Sequence, residues 1–509
     1  MLPAGGAHHG SRRFGLTAGR RPGGAPLKIS RPLALAIFAA CAAAAAALLQ
    51  IPGLNGPAEW RWPYRPLALA PLPALAAILF GAAVIAVLLH GPRGRKGAIW
   101  IALLGYGFIL SVVAAQPNGF GRVVSVLASR HSFSYLYDAA LAPGTRELLA
   151  DFPAASAALS MHSRTHPPGV LLAIRGLDRA ASALGPAGAL GAPLPRKAAE
   201  AMAAEISRAK QRGKPAPAVP PSPMSAVALA FLLPLAAAAT ALPVFSLGRS
   251  WGLSDFGARS AAALWVAVPA AVLFTPSLDQ ALAGFAAAGA ALAAKGAEGR
   301  RGDLQALAAG VVVGAGCLIS YGLLVAVPFV AWVALASGED RAWREARRAV
   351  RAALVGLGFL LPWLALALLA GYEPWRSFRA AISAHREMAV ATRSYATWLF
   401  ANPYDFALFC GPAVAVLAVA GALLRRGPSG MRRGLAGGAA LFVLLWLSGS
   451  VRGEVGRIWL FAMPFVALAA AGAEGNRTAG PRNLWAPGLV VAAQALATVA
   501  LAASMVFVD

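Results

Sequence analysis

The sequence predicts an all-α polytopic membrane protein with about thirteen transmembrane helices and one large extracytoplasmic loop. Three observations carry that expectation. Hydrophobic residues make up 59% and charged residues 13% of the 509 positions, too apolar a balance for a water-soluble chain of this length. Apolar runs of roughly 15 to 23 residues recur from end to end, and at ~1.5 Å rise per residue most of them cross a ~30 Å hydrocarbon core. Basic residues collect in alternate short links between those runs.

The apolar runs place spans at 33–49, 67–89, 98–115, 225–247, 259–275, 281–295, 305–320, 322–337, 350–370, 404–423, 435–449, 457–473 and 485–506. Arg12, Arg13, Arg20, Arg21, Lys28 and Arg31 precede the first span. Links of the same parity hold Arg93, Arg95 and Lys96; Arg300 and Arg301; Arg341, Arg344, Arg347 and Arg348; Arg425, Arg426, Arg432 and Arg433; Arg477 and Arg482. The opposite short loops hold few cations, among them Arg61, Arg65 and Arg452. The positive-inside rule therefore places the N-terminus in the cytoplasm and the C-terminus outside, and the Ala, Gly, Arg and Pro bias suggests a GC-rich bacterial genome and so a bacterial plasma membrane.

The chain then divides into a disordered cytoplasmic tail at 1–32, three spans within 33–115, a large extracytoplasmic loop at 116–224, and spans four to thirteen within 225–509. The shorter outward loops are 50–66, 371–403 and 450–456. The tail is long for a signal-peptide leader, and the first run is taken as uncleaved. Within the large loop, Pro168 to about Leu184 reads as an amphipathic surface helix, since Arg175, Asp178 and Arg179 make it a poor span. A further span at 168–190 is the competing topology. Residues 196–212 have helix-forming composition, and the Pro-rich run KPAPAVPPSP links them to the fourth span.

The net charge of +25 would suggest nucleic acid in a soluble protein. Here the cations sit where membrane topology puts them, so no nucleic-acid partner is expected. Cys41, Cys317 and Cys410 are too far apart for a zinc pattern or a disulfide framework and suit small core positions.

The densest polar stretch is 131–169, HSFSYLYDAALAPGTRELLADFPAASAALSMHSRTHPPG, with Asp138, Glu147, Asp151, His162, Arg164 and His166. A carboxylate there suits a general base toward an acceptor hydroxyl. The histidines and arginine suit a phosphate leaving group. Asp138 is the first choice of base and Asp151 the reserve. The competing role for Asp138 is as N-cap of a helix starting near Ala139. A second constellation, SVRGEVGRIWLFAMP at 450–464, sets Arg452, Glu454 and Arg457 at the outer mouth of a span. These residues are expected to meet the 131–166 loop in one cavity. The alternative is a local Glu454–Arg457 pair with a snorkelling arginine. The third stretch, 371–405, mixes aromatics with Arg376, Arg379, His385, Arg386 and Arg393, and suits an interfacial helix against lipid headgroups.

Weaker candidates are Glu59 beside Trp60, Trp62 and Tyr64, which read as an aromatic belt, and Asp279, which reads as a solvated turn. Asn476-Arg477-Thr478 spells a glycosylation sequon on the cytoplasmic side and is taken as chance.

His166-Pro167-Pro168-Gly169 followed by VLLAIRGL, after an outward loop rich in acids and aromatics, resembles the GT-C superfamily of membrane glycosyltransferases. That superfamily includes the protein O-mannosyltransferase and aminoarabinose transferase groups. The stretches LPVFSLGRSWG, NPYDFALFCGP and GEVGRIWLFAMPF are also similar to bacterial members, and the resemblance runs from about residue 98 onward. It implies transfer of a sugar from a polyprenyl-phosphate carrier to an extracytoplasmic glycan, lipid or protein acceptor. An outward carboxylate would take the acceptor proton and basic residues would hold the phosphate. It implies no certain cofactor and leaves a divalent metal open. The chain departs from the pattern in its short first outward loop and in lacking an Asp-Glu or Asp-x-Asp pair, so the base lies among Asp138, Asp151 and Glu59. Membrane lipids are the other expected partners. A lipid-linked glycan flippase and a glycan polymerase or ligase are the competing functions; the near absence of charge within the spans argues against permeation.

Overall fold

The computed structural model describes residues 30–183, 192–296, 301–337, 342–387, 392–473 and 485–507; the side chains of residues 182 and 342–345 are not described. The predicted tail up to residue 29 and the sequon at 476–478 lie outside the described residues.

The regular structure among the described residues is all helical. Three helices come first: α1 (Arg31–Leu48), α2 (Pro71–His90) and α3 (Gly94–Ala115). The large loop then folds into α4 (Gly119–Leu127), α5 (Tyr135–Leu141), α6 (Thr145–Ala150), α7 (Phe152–Ala157), α8 (Met161–Arg164), α9 (Gly169–Ala183) and α10 (Pro193–Gln211). After it come α11 (Pro223–Ala239), α12 (Ala241–Ser250), α13 (Asp255–Val266), α14 (Pro269–Leu273), α15 (Asp279–Gly296), α16 (Gly302–Cys317), α17 (Ala326–Ala336) and α18 (Ala342–Ala370). The last part holds α19 (Pro374–His385), α20 (Tyr395–Cys410), α21 (Pro412–Leu423), α22 (Ser429–Leu447), α23 (Val455–Ile458), α24 (Met463–Ala473) and α25 (Trp485–Ser504). Proline starts many of these helices, as in α2, α10, α11, α14, α19 and α21, where its missing N–H costs nothing and its fixed φ suits the first turn.

Among the described residues, seven helical stretches are long and apolar enough to cross a membrane: 31–48, 71–90, 94–115, 223–250, 346–370, 429–447 and 485–504. Each answers an apolar run of the sequence, so this is a multi-pass membrane protein. Helices α20 and α21 would make an eighth together, but bend by 109° at Gly411. The expected spans at 305–320, 322–337 and 457–473 fall on helices of 16, 11 and 11 residues, and 259–275 breaks into α13 and α14 at Pro269. A twelve-residue helix is ~18 Å long and does not span the core alone. Every residue from Ala258 to Ser277 is buried within the bundle against α3, α12, α24 and α25, and the one cation of the segment, Arg259, pairs with Asp255 at 2.9 Å.

The small-residue content has a direct packing use. A Cβ on Gly310 would strike the Val355 carbonyl, and one on Gly358 would strike the Leu307 carbonyl. Helices α16 and α18 therefore touch backbone to backbone, the arrangement that small residues four apart permit in membrane helices. Of the cysteines, Cys317 and Cys410 are buried as expected, whereas Cys41 is exposed on α1.

Loop contacts sort the connections onto two ends of the bundle. At one end the segments 50–66, 116–224, 276–280, 371–403 and 450–456 bond to one another, through Glu59–Thr397, Arg376–Asp151, Arg393–Glu454, His385–Ser450 and Arg457–Asp279. At the other end the basic links meet: Asp255 accepts from the Gly94 amide, Asp303 pairs with Arg351, and Arg426 donates to Ala473. Residues 504–506 lie at the first end, where Val506 N–H donates to Pro63 and Arg65 N–H to Ser504. Helix α9 is fifteen residues long and packs on α5 and α11 through Val170, Leu171 and Ile174. Arg175 donates to the end of α5, and Asp178 accepts from the Ser222 amide and from the Ser225 hydroxyl at the start of α11. The 196–212 helix appears as α10, and the Pro-rich run after it has no regular structure.

Candidate functional site

Helix α5 begins at Tyr135 after Ser134, not near Ala139, so Asp138 lies inside its first turn and is not the N-cap. The Asp138 carboxylate is fully buried. It accepts from the Ser160 amide at 3.3 Å, from the Ser163 hydroxyl at 2.7 Å and from the Ser160 hydroxyl. A buried carboxylate holds its charge only when paired or hydrogen-bonded in this way. These bonds tie α5 to α8 and fix the His162–His166 segment. They also correct the assignment of Asp138 as a base in direct contact with an acceptor, because no oxygen of it reaches solvent. The far end of α5 is held by Arg175, whose guanidinium donates to the carbonyls of Ala139, Ala142 and Pro143 and to the Thr145 hydroxyl. A cation on the final carbonyls suits a helix C-terminus.

His162 and His166 both lie against Tyr135, with ring centroids 5.8 and 5.7 Å from it. Nδ1 of His162 lies 3.2 Å from the Ser134 hydroxyl, which lies 2.5 Å from that of Ser160. Nδ1–H of His166 donates to the His162 carbonyl at 2.8 Å. Burial lowers the proton affinity of both rings. For His162 the Arg457 charge lowers it further, against an opposing pull from Asp138. His166 falls to about 4, with His162 as the second cause. Both imidazoles are therefore neutral at pH 7. Burial and the Asp279 charge push the Tyr135 hydroxyl above the ordinary tyrosine range, so it stays protonated. Arg164 ends α8 half-buried, and among the described residues its guanidinium has no ion-pair partner.

The second constellation is built by α20. Asn402 donates to the Val451 carbonyl and accepts from the Gly453 amide; Asp405 accepts from the Gly456 amide and from the Trp62 indole. Left-handed backbone at Gly453 and Glu454 makes the tight turn that these bonds hold. From it Glu454 pairs with Arg393 at 3.1 Å and with Arg457 at 2.9 Å. The Arg457 guanidinium also faces Asp279 at 3.7 Å. Burial raises the Asp279 carboxyl, against the lowering pull of Arg457 and of the Ser277 hydroxyl. Arg452 turns the other way, donating to the Arg393 and Gly449 carbonyls and lying over the Tyr395 ring. The Arg457 and Glu454 charges act on His162, while Arg452 is a staple of the loop.

Other sequence candidates have structural tasks. Asp151 caps α7 by accepting from the Ala154 amide and pairs with Arg376 at 3.3 Å. Glu59 accepts from the Ser394 amide, the Thr397 hydroxyl and the Trp398 indole, which fixes the start of α20. Trp62 belongs to the core and not to an interfacial belt: it packs on Phe274, Phe409 and Phe507 at 5.3 to 5.7 Å. Asp279 belongs to the charged cluster and not to a solvated turn. The sequence reading missed Ser134, Ser160 and Ser163, and did not single out Asn402 and Asp405. The serine-rich spelling around 131–163 was the available signal for the first group. A buried Asn-x-x-Asp pair one helical turn apart was the signal for the second.

A cavity of about 610 Å³ lies apart from this cluster, beside Ala70, Gln116 and Asn118. Among the described residues no group of three or more His, Cys, Asp and Glu side chains is placed to hold a metal ion.

No family model matches the chain, and no curated protein matches it. Among solved structures it is similar to the oligosaccharyltransferase of Archaeoglobus fulgidus, crystallised with zinc and sulfate. The identity is 16% and the TM-score 0.39, over 62% of this chain and 45% of that one, so the chain spans under half the length of that protein.

Proposed function

We propose that the chain is a membrane glycosyltransferase that moves a sugar from a polyprenyl-phosphate carrier to an extracytoplasmic glycan, lipid or protein acceptor. One observation supports this above the others. Arg457, held by two carboxylates from separate loops, stands near two histidines that burial keeps neutral. An arginine fork suits a phosphate that gains charge as its bond to the sugar breaks. A neutral imidazole suits the acceptor proton. Arg164, His166 and Glu454 complete the proposed binding set, with Arg452 holding the loop. The in-membrane assay uses radiolabelled polyprenyl-phosphate sugars. Label arriving in a glycan, lipid or protein fraction supports transfer. Label that stays on the carrier in every fraction removes the reading.

The same reading takes the chain through the membrane thirteen times, with the N-terminus cytoplasmic and the site end outside. The separation of basic links from the site loops supports that orientation. Reporter fusions at Arg95 and Arg426 are expected to report cytoplasm, and one at Asp509 periplasm. A cytoplasmic signal at Asp509 would mean that the crossings are miscounted.

One observation favours a second reading, a lipid-linked glycan flippase. Broken helices mark many transporters, and α20–α21 and α13–α14 are broken. In proteoliposomes a flippase moves labelled carrier between leaflets without forming a new product.

A further inference from the structure

The sequence points to a carboxylate as base, but the carboxylate of the His-Pro-Pro loop is sealed. Asp138 is fully buried, and each of its contacts is a serine hydroxyl or amide. Those contacts have a direction. The Ser160 hydroxyl donates to Asp138, which leaves the Ser160 oxygen free to accept from Ser134 at 2.5 Å. The Ser134 oxygen in turn accepts from Nδ1–H of His162 at 3.2 Å. Followed from the buried charge outward, the chain of donors sets one tautomer. The His162 proton sits on Nδ1 and the Nε2 lone pair is free, with no partner among the described residues.

We propose that His162 takes the acceptor proton, and that Ser134, Ser160 and Asp138 form a buried chain that fixes its tautomer and balances its charge. This rests on the glycosyltransferase reading and names the base within it. As the acceptor oxygen bonds to the anomeric carbon, its proton passes to Nε2 of His162. The bond from that carbon to the carrier phosphate breaks, and its electron pair stays on the phosphate oxygen. The imidazolium that forms has a carboxylate two hydroxyls away to answer it. A carboxylate that orients and steadies a histidine without contacting the substrate follows the logic of hydrolytic triads, here with two hydroxyls between.

The same test separates His162 from His166. Nδ1 of His166 is tied to a carbonyl, and no chain of hydroxyls joins it to a carboxylate. The groups acting on His162 are Asp138 and Tyr135 from α5, His166 from its own segment, His131 from the preceding loop, and Arg457 and Glu454 from the facing loop. From α19, His385 acts on the neighbouring His166. Ser134, Ser160 and Asp138 are positioning residues and His162 alone meets the acceptor.

The test reads the ring directly. Full-length protein labelled with ¹⁵N-histidine is placed in lipid nanodiscs, and the His162 signal is assigned by its loss in His162→Gln. The expected wild-type ring is protonated on Nδ1 and bare on Nε2 at neutral pH. Ser134→Ala is expected to mix the two tautomers and Ser134→Thr to restore the first. Asp138→Asn is expected to lower the ring's proton affinity, because the imidazolium loses its counter-charge. A wild-type ring protonated on Nε2, or a ring unmoved by Ser134→Ala, overturns the chain. In the transfer assay His162→Gln is expected to lose ~10²–10⁴ in rate. Ser134→Ala is expected to lose less and to shift the acid limb of kcat to lower pH. Wild-type turnover in His162→Gln overturns the base role while leaving the transferase reading intact. A wild-type protein that leaves label on every carrier overturns the transferase reading and the base role with it, whereas the tautomer still decides the chain.

Discussion

Arg457→Gln is expected to cut sugar transfer by roughly 10²–10³, the range seen when one preorganised donor is removed from a developing negative charge. The loss should fall on kcat more than on the KM for carrier, since the phosphate gains charge only as the bond to the sugar breaks. The fold should tolerate the change. Glu454 keeps its pair with Arg393, and Asp279 keeps the Ser277 hydroxyl at 2.7 Å, so neither acid is left alone. Arg457→Lys keeps a charge without the planar fork and is expected to recover only part of the rate. Turnover near wild type in Arg457→Gln would take this arginine out of the site.

Gly411→Ala is expected to be the most damaging single methyl in the bundle, costing about 3 kcal/mol or more through backbone strain and overpacking. Gly411 sits at φ 98, ψ 123, a conformation that side chains avoid. A Cβ there would also occupy the place of the Gln494 amide, which donates to the Cys410 carbonyl at 2.9 Å. That bond satisfies a carbonyl freed by the 109° bend between α20 and α21. The double variant Gly411→Ala/Gln494→Ala separates the two terms. It should recover the steric part and keep the ~1–3 kcal/mol of backbone strain. Thermal unfolding in detergent reads both, and a Gly411→Ala protein that melts with wild type would show that the bend is not held as described.

How much of this was legible in the sequence follows from the range of each interaction. Apolar runs such as 71–90 and 485–504 announce themselves because lipid demands unbroken hydrophobicity over about twenty residues. The segment 258–277 shows the limit of that signal: it is buried throughout, and hydrophobicity does not tell protein from lipid surroundings. The polar stretches at 131–169 and 450–464 stood out in the sequence, and the Arg457 charge does act on His162. The roles within them were not. Whether Asp138 faces an acceptor or three buried donors depends on where Ser160 and Ser163 return, more than twenty residues later. Glu59 reaching Thr397 and Trp62 reaching Asp405 are closures over three hundred residues of chain, which no local pattern encodes.

The meeting of residues 63–65 with 504–506 has a consequence for how the protein is made. Helix α1 packs on α21 and α25, which leave the ribosome long after it. During synthesis α1 must wait in the bilayer with its Ala-rich seam, Ala36, Ala40, Ala43, Ala44 and Ala47, uncovered by its final neighbours. Trp62 likewise waits for Phe409, Phe507 and Asp405. Because Asp405 also holds the turn before Arg457, the site is finished only when the last helix closes against the first. Nascent chains halted before α25 should therefore be inserted yet inactive, with the assembly step that completes the bundle also serving as the step that switches it on.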